Sequence, residues 1–103
     1  GNMVFVSGQI ALHPETNEIP EEFTAQCHQV LKNLQAILEA SGSSLEHTVK
    51  VMIYMTDIDR FNELNEIYAG YLGSAKPARA CVEVSRLPKG VLVEMDAVAL
   101  IAE

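Results

Sequence analysis

KPARACVEVSRLPKG, residues 76–90, alternates when read as a strand: Ala80, Val82 and Val84 point one way, and Arg79, Cys81, Glu83 and Ser85 the other. A guanidinium, a thiol and a carboxylate on one face are either a solvated surface or half of a binding site. Two strands are predicted here, over residues 79–86 and 91–102, joined by LPKG. Upstream, TVKVMIYMT (residues 48–56) alternates as well, with Val49, Val51, Ile53 and Met55 on one face and Lys50, Met52 and Tyr54 on the other.

Between these strands lies a helical pattern. Asp57 or Asp59 can cap it, Phe61, Leu64, Tyr68, Tyr71 and Leu72 recur at helical spacing, and Gly73 ends it. Ser43-x-x-Glu46 fits a capping box over a short turn ahead of the second strand. Further back, Phe23, Cys27, Val30, Leu31, Leu34, Ile37 and Leu38 form the stripe of an amphipathic helix that starts after Pro20-Glu21-Glu22 and stops at Ser41-Gly42. Met3 to Ile10 is rich in β-branched and aromatic residues and reads as a strand, followed by the turn-rich ALHPETNEIP. The chain opens on the turn-type pair Gly1-Asn2, which normally has a strand before it; the expectation is either that such a strand is missing or that Met3 to Ile10 is an unguarded edge.

The order strand, helix, strand, helix, strand, strand predicts one α+β domain over residues 1–103, with two helices on one face of a mixed sheet. Two helices cannot cover both faces. On the other face the patterns place Phe5, Met52, Tyr54, Leu92, Val98 and Leu100, together with Ser7, Arg79, Cys81, Glu94 and Asp96. So much apolar surface marks an interface, and a homo-oligomer packed through this face is expected, its polar residues set in interfacial pockets.

Composition narrows the function. Fourteen acidic against seven basic residues give a net charge of −7, which argues against general binding to nucleic acid or anionic lipid. It leaves room for a small anionic ligand held by one well-placed Arg. Cys27 and Cys81 lie in no CxxC spacing, and His13, His28 and His47 in no HExxH spacing, so no disulfide framework or metal site is signalled. With no transmembrane-length apolar run and no signal segment, a cytoplasmic protein is expected.

GNMVFVSGQIALHPETNEIP, NLQAILEASGSSLEHTVKVMIYMTDIDRFNELNEIYAGYL and KPARACVEVSRLPKGVLVEMDAVAL, which cover essentially the whole chain, resemble the RidA (YjgF-type, reactive intermediate deaminase) family. PAR-x-C-V followed by LPKG is the most specific part. The resemblance implies a chorismate-mutase-like fold, a homotrimer with clefts between subunits, and no cofactor. It implies hydrolysis of reactive enamines and imines, such as 2-aminoacrylate and 2-iminobutanoate, to 2-keto acids and ammonia. A non-catalytic module that holds a 2-keto acid or related carboxylate in the same cleft is the alternative.

Site residues follow from the same resemblance. Arg79 is to bind the substrate carboxylate, whose two oxygens match a guanidinium fork. Glu94, with Asp96 as its competitor on the same face, is to orient water and accept its proton. Cys81 lies beside the substrate carbon in a contact role, since no His is placed to activate it as a nucleophile. Ser7, Gly8 and Asn65 complete the substrate-binding set. Cys27 and the aromatic stripe of the second helix read as core, and His28 and His47 as surface residues. The family also begins earlier, with a GPYSQA-like strand whose Tyr closes over substrate in the deaminase branch; that stretch is missing here, so lower stability or altered assembly is expected.

Overall fold

A computed structural model describes residues 2–101. The elements run β1 (Met3–Gln9), α1 (Phe23–Ala40), β2 (Thr48–Met55), α2 (Phe61–Leu72), β3 (Ala78–Glu83) and β4 (Val93–Leu100), with short 3-10 turns at Leu45–His47, Ile58–Arg60 and Pro88–Gly90. Both helices pack on a four-stranded mixed sheet of order β1-β4-β2-β3. β4 runs antiparallel to both β1 and β2, while β2 and β3 are parallel. Parallel neighbours need a long crossover, and α2 supplies it between β2 and β3.

α1 buries Phe23, Cys27, Val30, Leu31, Leu34 and Leu38, the stripe its periodicity predicts. Against it lie Val51, Ile53 and Met55 of β2 and Val93, Met95, Ala97 and Ala99 of β4. Gln26, also buried, bonds the Pro20 carbonyl at 2.9 Å and accepts from the Leu92 N–H at 2.8 Å, tying the loop before α1 to the start of β4. Asp57 Oδ1 accepts from the Asp59 N–H at 3.0 Å and opens the turn that leads into α2.

Several local expectations need correcting. Ser43 and Glu46 form no capping box: the Ser43 hydroxyl donates to the Leu100 carbonyl, and Glu46 accepts from Ser74 at 2.8 Å. Val49 leaves the buried row, because a bulge between Thr48 and Lys50 shifts the register there and leaves it 39% exposed. Leu92 packs against the core and not on the open face. Of the strand expected over 91–102, the structure forms Val93–Leu100, and residue 102 lies outside the described residues, as does Gly1 of the opening turn pair.

The largest correction concerns β3. Arg79 pairs with Val51, Cys81 with Ile53 and Glu83 with Met55, so these three share the helix-covered face. Ala78, Ala80 and Val82 join Lys50, Met52 and Tyr54 on the open face. The open face is apolar as expected: Phe5 is 75% exposed, Val82 42% and Leu100 39%. Alternation groups side chains by face without saying which face meets the helices. On an edge strand beside a short helix, the polar row lies at the helix margin.

Candidate active site

Arg79 sits on edge strand β3, under the outer flank of α2. Its Nη1 donates to Asn65 Oδ1 at 2.7 Å. The guanidinium carbon lies 4.7 Å from the centre of the Tyr68 ring and 5.3 Å from that of Phe61. Asn65, Phe61 and Tyr68 come from α2 at spacings of four and three residues, which place them on one flank of the helix. Among the described residues the only salt bridge is Arg60–Glu63, so neither Glu83 nor Glu94 neutralises Arg79. Glu83 instead accepts the Ile58 backbone N–H at 2.9 Å. Nε and Nη2 of Arg79 have no protein partner among the described residues, and their parallel N–H bonds fit the two oxygens of a carboxylate.

A second group of residues lies on the open face. β1 takes in one extra residue between Val6 and Gln9, which pair with Ala97 and Met95, so Ser7-Gly8 forms a bulge opposite β4. Glu94 stands beside it. A Cβ at Gly8 would collide with the Glu94 carboxylate, so the close approach of strand and side chain depends on glycine at that position. Asp96, the competing acid, is engaged: it accepts from the Tyr54 hydroxyl at 3.1 Å. That bond pushes the Tyr54 phenol above its ordinary range, with burial and the neighbouring Asp96 and Glu94 charges adding to it. Among the described residues Glu94 has no hydrogen-bond partner for its carboxylate.

The structure therefore gathers Arg79, Asn65 and Cys81 in one place, and Ser7, Gly8 and Glu94 in another. It does not bring the two groups together within the chain. Glu94 is not on the strand next to Arg79, because β2 lies between β3 and β4. Their strands are about 10 Å apart across the sheet, given ordinary strand spacing, Arg79 is level with Val51 and Glu94 with Tyr54 further along β2, and the two side chains project from opposite faces. LPKG links β3 to β4 in sequence without making them partners, since β3 pairs in parallel with β2.

The family model described as Endoribonuclease L-PSP matches residues 1–101. The chain belongs to the RidA (YjgF-type) family. It is 51% identical over 100 residues to a RutC family protein of Pyrococcus abyssi, covering 96% of this chain and 79% of that one. It is 41% identical over 103 residues to the 2-iminobutanoate/2-iminopropanoate deaminase of Escherichia coli, covering 97% of this chain and 80% of the relative. The crystal structure of RidA from an Antarctic Psychrobacter superposes with a TM-score of 0.95 at 46% identity, over 98% of this chain and 82% of that one.

In this RidA-family chain the Cys81 thiol is half-buried and points its S–H at the Met55 thioether, 3.4 Å away. Burial raises its pKa, and the nearby Arg79 charge offsets only part of that. A neutral thiol turned into the core is a poor nucleophile. Cys27 is fully core, its pKa pushed up to about 12 chiefly by burial. The aromatic stripe of α2 is core at Leu64, Tyr68 and Leu72. Phe61 and Tyr68 also form the surface on which Arg79 lies, a role that the helical period alone does not reveal. Tyr54 is likewise legible only from the structure, since its hydroxyl separates the two acids of β4 by engaging one of them. A cleft of about 720 Å3 lies between the His13–Pro20 loop and α1, away from both groups, and one of about 380 Å3 between the end of β1 and α1 takes in Gly8. Among the described residues no cluster of His, Cys, Asp and Glu is placed to hold a metal ion, and no helix is long and apolar enough to cross a membrane.

Proposed function

We propose that this chain is an enamine/imine deaminase that hydrolyses 2-iminobutanoate, 2-iminopropanoate and their enamine forms, such as 2-aminoacrylate, to 2-keto acids and ammonia. The observation that carries this reading is the unpaired Arg79 guanidinium, held by Asn65 and two aromatic rings with one edge free. Such an edge fits the planar carboxylate that all these substrates share. The named activity of the relative from Escherichia coli points to the same substrate class.

Each half of the site is incomplete alone. A four-carbon imino acid cannot reach through a sheet from Arg79 to Glu94. A homotrimer solves the problem: the apolar open face, with Phe5 75% exposed, packs against a neighbour. Glu94, Ser7 and Gly8 of one subunit then face Arg79, Asn65 and the Cys81 backbone of the next. Arg79 holds the carboxylate. Glu94 orients a water and takes one of its protons as the oxygen adds to the carbon of the protonated imine, giving a carbinolamine. The same proton then passes to the nitrogen; as the C–N bond breaks, Glu94 takes the remaining hydroxyl proton, and the keto acid forms as ammonia leaves. An enamine substrate first tautomerises to the imine by taking a proton on carbon. Ser7 and the Gly8 backbone lie beside Glu94, where they can bond the carbinolamine. Ribonuclease chemistry is disfavoured, because the net charge is −7 and His13, His28 and His47 all lie away from both half-sites.

The test is keto-acid release from 2-iminobutanoate generated by a threonine dehydratase, with semicarbazide competing for the imine. Glu94→Gln should lower kcat about 100- to 10,000-fold, as expected for loss of a general base, and Arg79→Ala should raise KM and destroy most of kcat/KM. Refolding the two inactive variants together in equal amounts should restore about a quarter of the sites, if each site takes Arg79 from one subunit and Glu94 from the next. A mixture that stays inactive while trimeric would refute the shared site. Unimpaired keto-acid binding with no turnover in the parent chain would favour the carboxylate-binding module.

A further inference from the structure

We infer that Tyr68, assisted by Phe61, is the positioning residue that fixes the carboxylate specificity of Arg79. The inference rests on the reading of Arg79 given above and extends it to residues that touch no substrate. Arg79 is exposed, on an edge strand, with no acidic partner, and a long side chain in that position ordinarily samples many rotamers. Three contacts restrict it here. The Tyr68 ring lies 4.7 Å and the Phe61 ring 5.3 Å from the guanidinium carbon, and Asn65 takes Nη1 at 2.7 Å. Asn65 alone could rotate with the arginine. Tyr68 cannot, because it is only 7% exposed and set in the core with Leu64 and Leu72.

The Tyr68 hydroxyl is buried with no hydrogen-bond partner among the described residues. A buried hydroxyl without a partner costs stability rather than adding to it. The ring is therefore the functional part of this side chain, and its face, electrostatically attractive to a guanidinium, is what the arginine meets. The consequence is a division of labour: Asn65 occupies Nη1, the rings set the plane, and Nε with Nη2 is left as a rigid two-pronged donor. Lysine on the same platform would offer a point charge without that fork.

The experiment measures inhibition constants of 2-oxobutanoate and of its neutral analogue 2-oxobutanamide for the trimeric protein. Tyr68→Leu should weaken 2-oxobutanoate about 3- to 30-fold, the range expected for loss of a cation–π contact. The amide should change by less than about twofold, within the additivity of unconnected sites. Tyr68→Phe, which keeps the ring, should retain wild-type selectivity for the carboxylate. Equal weakening of both ligands by Tyr68→Leu would assign the ring to general packing and overturn the inference, as would unchanged 2-oxobutanoate inhibition. If Tyr68→Leu does not fold, Phe61→Leu at the half-buried ring carries the same comparison with a smaller selective loss. Unchanged 2-oxobutanoate inhibition in Arg79→Ala would instead overturn the carboxylate-binding reading itself.

Discussion

On the helix-covered face of the sheet, Val51, Ile53, Met55, Val93, Met95 and Ala99 of the two central strands have no solvent exposure at all, whereas on the opposite face of the two outer strands Phe5 is 75% exposed and Val82 42%. The candidate site is divided along the same line. The half proposed to bind the carboxylate, Arg79 with Asn65, Phe61 and Tyr68, lies at the margin of the covered face and is organised within one chain. The half proposed for acid–base chemistry, Glu94 with Ser7 and Gly8, lies on the open face, where the Gly8 backbone in the bulge of β1 lets the Glu94 carboxylate come close. One half is preorganised by packing; the other waits for a surface to be brought to it. A site split this way ties activity to assembly.

The sharpest way to separate the two faces is to damage each in turn. Leu34 is 1% exposed in the middle of α1 and packs in the central core. Leu34→Ala should cost about 2–5 kcal/mol, as large-to-small core changes do. Each kcal/mol lowers the melting temperature of a domain this size by about 4–8 °C. Phe5→Asp should do the reverse, leaving the fold of the chain intact while it blocks association, because a charge would have to be buried in the interface. Circular dichroism reads the first effect and light scattering the second. If Phe5→Asp remains associated and active, the open face is not the assembly surface.

The helices were the most legible part of the sequence. Leu31, Leu34 and Leu38 recur at the helical period, and burying that stripe fixes both the helix and its orientation. The apolar open face was legible for a related reason, since two helices cannot cover both sides of a sheet. What could not be read was which row of β3 meets α2. Its apolar row of Ala80 and Val82 looked like core and belongs to the open face. Its polar row of Arg79, Cys81 and Glu83 looked like an interface and lies at the helix margin, where a long arginine reaches over aromatic rings to solvent. The bulge that exposes Val49 and the parallel pairing that separates β3 from β4 are non-local, and no window of sequence carries them. Arg79 and Glu94 could thus be named one by one, while their places on opposite faces of the sheet could not.

Substitutions within the two half-sites should have different kinetic signatures. Gly8→Ala puts a methyl group where the Glu94 carboxylate lies, and the flexible end of that side chain can yield, so stability should change little. The displaced carboxylate should cost about 100-fold in kcat, the penalty for misplacing a catalytic group by about 1 Å, with KM nearly unchanged. Asn65→Ala removes the acceptor of Arg79 Nη1 and should raise KM about tenfold, the worth of a hydrogen bond to a charged group, with a smaller change in kcat. The opposite pattern, KM for Gly8 and kcat for Asn65, would mean that the roles of the two halves have been exchanged.

Cys81 should give the smallest effect, and the result tests how firmly the covered face holds its residues. Its thiol is turned towards Met55 Sδ at 3.4 Å, and burial raises its pKa above the ordinary thiol range. A raised pKa keeps the thiol protonated at neutral pH, and the reactive thiolate accumulates only as pH rises past the ordinary value of about 8.5. Iodoacetamide should therefore modify the folded protein slowly at pH 7, and faster as pH rises beyond the range in which a free thiol has already levelled off. Cys81→Ser, nearly the same size and a far weaker nucleophile, should keep activity within about tenfold of the parent if the residue acts through its backbone and its packing. Loss of activity by several orders of magnitude, with a rate that follows a thiolate titration near neutrality, would return Cys81 to the role of nucleophile. It would also require the side chain to leave the core side of β3, where its pairing with Ile53 places it.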